Sequence, residues 1–153
     1  MRKALTVTLA GAAVAVAGCS APPPPEVTFY TDGNSAAVSP RLLCEIGKPT
    51  CLEDPDAVAN LKTRLGQPVQ ISVSEKVAST PWGVVFSYVD ANGQQQVASS
   101  RAIFPSSGQL TYTLKLPAPT DRLIYVEVRK TEVIDGSKLV DSGIWALSTE
   151  LRS

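Results

Sequence analysis

From residue 27 onward apolar and polar residues alternate along the chain, the period of a strand with one buried face. Val27-Thr28-Phe29-Tyr30 predicts a first strand, ended by the turn chemistry of Asp32-Gly33-Asn34. Ala36 to Ile46 predicts extended chain running into Cys44. Val69, Ile71 and Val73 alternate with Gln70, Ser72 and Ser74, and Trp82, Val84, Phe86 and Tyr88 fall on one face of the next run. Asn92-Gly93 is a hairpin signal, after which Gln95 to Phe104 returns. Leu110, Tyr112, Leu114 and Leu116 share a face, and Pro117-Ala118-Pro119 breaks that strand. Ile124, Val126 and Val128 line the next, Asp135-Gly136 marks another hairpin, and Ser142 to Leu151 carries Trp145 in the last strand.

One stretch departs from this period. Between Cys51 and Gly66, Asp54 can cap a helix, Pro55 suits its first turn, and Ala57, Val58 and Leu61 share a helical face. About seven or eight short strands with closely spaced turns and one short helix predict an all-β fold, an antiparallel sandwich, with a closed barrel as the alternative. The run from Gly66 through the Trp82 strand to the Val126 strand resembles immunoglobulin-like and fibronectin III-like sandwiches, in which a strand tryptophan packs in the core. The inter-sheet cysteines of antibody domains are missing. A tyrosine corner is also not supported, because Ile124 rather than Tyr125 is in phase with Val126 and Val128. That resemblance is to an architecture and implies no activity.

Ahead of the strands the composition changes. Arg2 and Lys3 precede an uncharged, mostly apolar run from Ala4 to Ala17, too short to span a bilayer comfortably. Val16-Ala17-Gly18-Cys19 follows and resembles the lipobox of bacterial lipoproteins. The thiol accepts a diacylglyceryl group, and small flanking residues fit the processing peptidase. Residues 1–18 are therefore predicted to be a signal peptide that is removed, leaving Cys19 as the lipid attachment. Two acyl chains or more make a stable anchor where one does not. Residues 19–26 form the lipidated Cys and a Pro-rich linker, and 27–153 the sandwich domain. Four consecutive prolines favour polyproline II, so Ser20 to Glu26 reads as a spacer of about 20 Å. A disordered tail is the plainer alternative.

Val27 to Gly33, then Cys44 and Cys51, Val69 to Val73 and Thr80-Pro81-Trp82 resemble an actinobacterial family of lipoproteins designated domain of unknown function 2771. The resemblance would cover nearly the whole mature chain. It implies export and the fold, and it carries over only the lipid-bearing Cys19 and the cysteine pair.

Charge and cysteines narrow the function classes. Taking Arg2 and Lys3 from the 14 basic side chains leaves 12 against 14 acidic ones, with no basic patch. Nucleic-acid binding is unsupported, and so is polybasic attraction to lipid headgroups. With Cys19 assigned to lipid, Cys44 and Cys51 remain as an even pair in an exported chain, which predicts a disulfide. Closing that loop would contribute roughly 2–3 kcal/mol in the chain-entropy model. A redox pair is the first rival, but redox enzymes usually use a tighter Cys-x-x-Cys. Half a zinc site is the second, and the chain contains no histidine to complete it.

The same lack excludes Ser-His-Asp and Cys-His arrangements. No Gly-x-Ser-x-Gly elbow or phosphate-cradling glycine loop occurs. Glu53, Asp54 and Asp56 cluster near the cysteine loop, where helix capping is the simplest role and a calcium site an alternative without EF-hand spacing. Asp135 and Asp141 flank a hairpin and read as a solvated turn. Trp82, Tyr88, Tyr112 and Trp145 could line a sugar platform, but aromatics at strand spacing are usually core. The expectation is a binding or interaction module without cofactor or metal, held at the outer face of the cell membrane by its lipid. Its partners would be envelope proteins or cell-wall polymer. A carboxylate-dependent enzyme acting on cell-wall glycan and an accessory subunit of a membrane complex are the alternatives.

Overall fold

Asp32 and Gly33 close the first hairpin, between β1 (Val27–Thr31) and β2 (Asn34–Val38), in a computed structural model that describes residues 22–152. Both turn residues have positive φ, 49° and 82°, the twist-compatible geometry that Asp-Gly accepts at little cost. The chain continues through β3 (Leu42–Leu43), β4 (Leu52–Glu53), β5 (Val58–Thr63) and β6 (Val69–Val73). A single turn of helix, α1 (Glu75–Ala78), leads into β7 (Trp82–Val89) and β8 (Gln95–Ser99). A 3-10 turn at Pro105–Ser107 then precedes β9 (Thr111–Leu114) and two long strands, β10 (Arg122–Ile134) and β11 (Lys138–Leu151).

Two sheets result. One has the order β2-β1-β6-β9, the other β4-β3-β11-β10-β7-β8, with β5 added parallel to the C-terminal half of β11. All other pairings are antiparallel, and the fold is an all-β sandwich. The alternation read from the sequence is the inward face of each sheet. Val27, Phe29, Val69 and Ile71 of the first meet Trp82, Val84, Val126, Val128, Trp145 and Leu147 of the second in one buried cluster. Val77 of α1 closes the space between the sheets at one end.

Three local expectations are corrected. No helix forms between Cys51 and Gly66. Asp54 caps only a turn, accepting the Asp56 N–H at 3.1 Å, and the chain then runs as β5. Register with β11 decides the matter: Val58 pairs Ala146, Thr63 pairs Leu151, and Leu61 and Thr63 point inward with strand period. Tertiary pairing here overrides a helical pattern of only three residues. In β10 a bulge between Leu123 and Tyr125 skips Ile124, so Leu123 is the buried residue and Ile124 is only partly covered. The extended run from Ala36 to Ile46 is split at Ser39-Pro40, where the chain passes from the first sheet to the second.

The pairings also give the sandwich two distinct ends. At the entry end lie the start of β1, the end of β6, α1, the start of β7 and the Cys44–Cys51 loop. The opposite end carries polar turns: Asp32-Gly33, the β5–β6 loop with Arg64, and the β7–β8 loop, in which Asp90 accepts the N–H groups of Asn92 and Gln94. There Thr31 and Thr63 are buried and hydrogen-bonded to each other at 3.1 Å, joining β5 to the first sheet. Arg64 hydrogen-bonds both carboxylate oxygens of Asp32 and holds its pKa below the ordinary aspartate value.

Two outcomes follow. Trp82 is almost completely buried, so Trp82→Ala should cost about 3–5 kcal/mol in a denaturant titration. Trp82→Phe should cost much less, because the indole N–H has no protein partner among the described residues. For Asp32, the depressed folded pKa means that the ion pair stabilises the fold above the ordinary aspartate range and that this is lost as pH falls through the folded value. Asp32→Asn, which keeps a residue suited to the turn, should be less stable than the parent at neutral pH. The gap should close in acid, as read by thermal melts across pH.

Candidate functional site

Gly143 is the residue from which the entry end is built. A Cβ there would lie 2.6 Å from Trp145 Cη2 and 2.7 Å from Cζ3, so the indole occupies space that only a glycine leaves open. Trp145 is completely buried, and its one polar atom must find a partner. The partner is the last linker proline: Trp145 Nε1 donates to the Pro25 carbonyl at 2.8 Å. Proline has no N–H but a free carbonyl, so a polyproline segment can be held by a buried donor without competing for it. The linker is thus fastened to the sandwich one residue before Glu26 and two before β1.

Cys44 and Cys51 are disulfide-bonded, with Cα atoms 4.3 Å apart. Cys44 donates its N–H to the Ser142 carbonyl at 2.8 Å, which ties the loop to β11, and β3 and β4 close it as a small hairpin. Pro22 to Pro25 run past this hairpin. Between them is a groove of about 460 Å3, floored by Leu43 and Leu52 and rimmed by Glu45, Lys48 and Lys76. Glu45 pairs with Lys48, whose hydrogen bond lowers the carboxyl's pKa, with the charges of Lys76 and Lys130 adding to it. The groove is open and apolar at its base, with its only carboxylate already paired.

The outer face of the second sheet carries a polar ladder that the sequence pattern did not reveal. Arg41 donates to the Tyr125 hydroxyl at 2.8 Å, and that hydroxyl donates to Glu127 at 3.1 Å. Arg129 makes two bonds to Glu127, at 2.7 and 2.9 Å, and one to Asp141 at 3.3 Å. Burial first, then the Glu127 charge, raises the Tyr125 pKa. Only the alternation of Tyr125, Glu127 and Arg129 along β10 hinted at it; Arg41 comes from the bend before β3 and Asp141 from β11.

Of the residues singled out in the sequence, Cys19 and the predicted signal peptide lie outside the described residues. Glu53, Asp54 and Asp56 are exposed on and beside the turn before β5, and no group of three metal-ligating side chains occurs among the described residues. Asp135 forms the β10–β11 turn with Gly136, and Asp141 belongs to the ladder. The four aromatic residues do not converge on a platform. Trp82 and Trp145 are interior, Tyr88 stacks near Phe86 with ring centroids 6.0 Å apart, and Tyr112 faces a separate hollow beside Phe104.

Fold and site together define a disulfide-stapled β-sandwich with its N-terminal polyproline segment docked onto the core. The chain belongs to the family described as Protein of unknown function (DUF2771), whose model matches residues 20–150. Uncharacterized proteins of Mycobacterium bovis and Mycobacterium tuberculosis are 33% identical to it over 81 residues, 53% of this chain and 49% of theirs. The chain therefore spans about half the length of the curated relatives it matches. No solved structure matches it.

The linker tie is directly testable. Trp145→Phe removes the donor together with the five-membered ring, so its loss of stability, about 1–3 kcal/mol, includes a cavity, and the specific readout is raised hydrogen exchange at Glu26 and Val27. Gly143→Ala should cost about 1–3 kcal/mol, because the ring it would strike is enclosed on all sides. Unchanged exchange at Glu26 and Val27 in Trp145→Phe would mean that the linker is not held through Trp145.

Proposed function

We propose that this protein is a lipid-anchored module of the cell envelope that works by binding rather than by bond-making. The observation that carries the reading is the continuity from anchor to core. The lipobox-like Val16-Ala17-Gly18-Cys19 ends just before a proline segment whose last carbonyl is gripped by a buried tryptophan. A spacer fastened in this way keeps the domain at a set position beside its anchor. The disulfide agrees with an oxidising compartment, and no helix among the described residues is long and apolar enough to cross a membrane.

Binding is favoured over catalysis by the state of the carboxylates. Glycoside chemistry needs one acid with a raised pKa facing a second across a cleft. The carboxyls whose pKa is displaced here, Asp32, Glu45 and Asp90, are all displaced downward by hydrogen bonds. Glu127 and Asp141 are each engaged by arginine. Partners would be envelope proteins or cell-wall polymer, recognised by strand edges, loops and the outer polar ladder, whose arginines and carboxylates can re-pair across an interface.

Replacement of the anchor residue tests the reading. Cys19→Ala should leave an unprocessed precursor or a freely released protein, as seen by fractionation and intact mass. Processed Cys19→Ala protein that still partitions with membranes would remove the lipid-anchor assignment. The purified domain should also leave wall polysaccharide uncleaved. Acid-dependent release of glycan fragments would return the carboxylate-enzyme reading.

A further inference from the structure

The two ends of the sandwich differ in what they expose. At the end opposite the linker the turns are built from Asp32, Arg64, Asp90, Asn92 and Gln94, with Leu65 and Leu151 about half exposed beside them. At the entry end two hairpins project beyond the sheets with aliphatic side chains in solvent. The first is the disulfide loop, in which Ile46 is 87% exposed. The second is the tip of β10–β11. The last residue of β10 that pairs with β7 is Lys130, and the β10–β11 register shifts between Lys130 and Thr131. Beyond it, Val133 pairs Leu139 and Ile134 pairs Lys138, with no third strand beside them among the described residues. Val133 is 57% and Leu139 64% exposed. A two-stranded ribbon with bare aliphatics is marginal in water. Single exposed leucines are ordinary, but here such side chains crown two hairpins on the same end of the molecule.

The chain itself says what lies at that end. Pro22 is three residues from Cys19, so the anchor sits no more than about 10 Å of extended chain from the groove beside the disulfide loop. We propose that the tips of the two hairpins, at Ile46 and at Val133 and Leu139, rest in the lipid surface into which Cys19 is anchored. This rests on the lipid-anchor reading. A few aliphatic side chains would not hold a free protein on a bilayer. With the acyl chains already inserted the contact is effectively intramolecular, and a weak apolar footing is enough to set the domain's orientation. Glu45–Lys48 and Asp135 with Lys138 flank the tips with both charge signs, so the footing is apolar and should tolerate salt. Seated this way, the domain holds its polar end and the Asp32, Arg64 and Asp90 turns away from the membrane.

The test uses the full-length processed protein in vesicles of phosphatidylcholine and phosphatidylglycerol whose acyl chains are brominated. Intact mass reports the lipid on Cys19 independently of orientation. Tryptophan is added singly as Ile46→Trp, Leu139→Trp or, at the opposite end, Leu65→Trp; thermal melts confirm folding. With lipid present, emission of the added tryptophan should be lost at 46 and 139 and retained at 65, with the same pattern in high salt. Lipid present but no loss at 46 and 139, or equal loss at all three, overturns the seating and leaves the anchor intact. Protection of these two positions by a co-purifying protein, without quenching, also overturns it, in favour of a protein partner. Absence of lipid by mass removes the anchor reading and the seating with it.

Discussion

A buried indole needs somewhere to put its N–H, and the entry end of this fold is organised by that requirement. Trp145 sits in the middle of β11, the strand to which β10, β3 and β5 all pair. Its ring fits only because position 143 has no side chain, and its donor is satisfied only because a proline carbonyl reaches it from outside the sandwich. Withdrawing that carbonyl would leave an unpaired donor in the core, a penalty of about 1–3 kcal/mol. The linker is therefore part of the folded domain at Pro25, and the direction in which the chain leaves is set by the core.

Two tryptophans of similar burial do different work for this reason. Trp82 of β7 pairs with Lys130 of β10, bridges to Ile103 and fills space, and its N–H has no partner among the described residues. Trp145 is equally enclosed but couples the core to the segment that leads to Cys19. The disulfide acts on the same end by another route. Cys44 is held to Ser142, one residue from Gly143, so the cysteine hairpin and the tryptophan share a register on β11. Any displacement of β11 would move groove, hairpin and linker together.

Strand content was legible because alternation reports directly which face of a strand is buried, and Val27-Phe29, Val69-Ile71-Val73 and Trp82-Val84-Phe86 have no competing pattern. The misreadings fall where a local signal is short or where register, which is non-local, decides. Asp54-Pro55 is good helix-start chemistry, but the next residues had a parallel partner in β11 that no local rule could supply. Ile124 was in phase until a bulge moved Leu123 into its place. The cysteine pair was legible from compartment and count alone. The Pro25–Trp145 bond was not, since it joins positions 120 residues apart, nor was the ladder, whose Arg41 and Tyr125 lie 84 apart.

The polar ladder and the entry end place different demands on the molecule. Arg41, Glu127, Arg129 and Asp141 hold one another on the face of the sheet, and such partly exposed pairs contribute little to folding, about 0–1 kcal/mol each. What they fix is geometry: β10, β11 and the bend just before β3 bring alternating charges into one row on the outward face of the second sheet. The groove and hairpin tips at the entry end are instead apolar at base and crown, and they sit where the chain departs toward Cys19. A module that stands on its entry end leaves the ladder facing sideways, parallel to the membrane, where a neighbouring envelope component could meet it without displacing the anchor. On the proposed seating, the opposite end, built of hydrogen-bonded Asp32, Arg64 and Asp90 turns, is the surface that points away from the membrane.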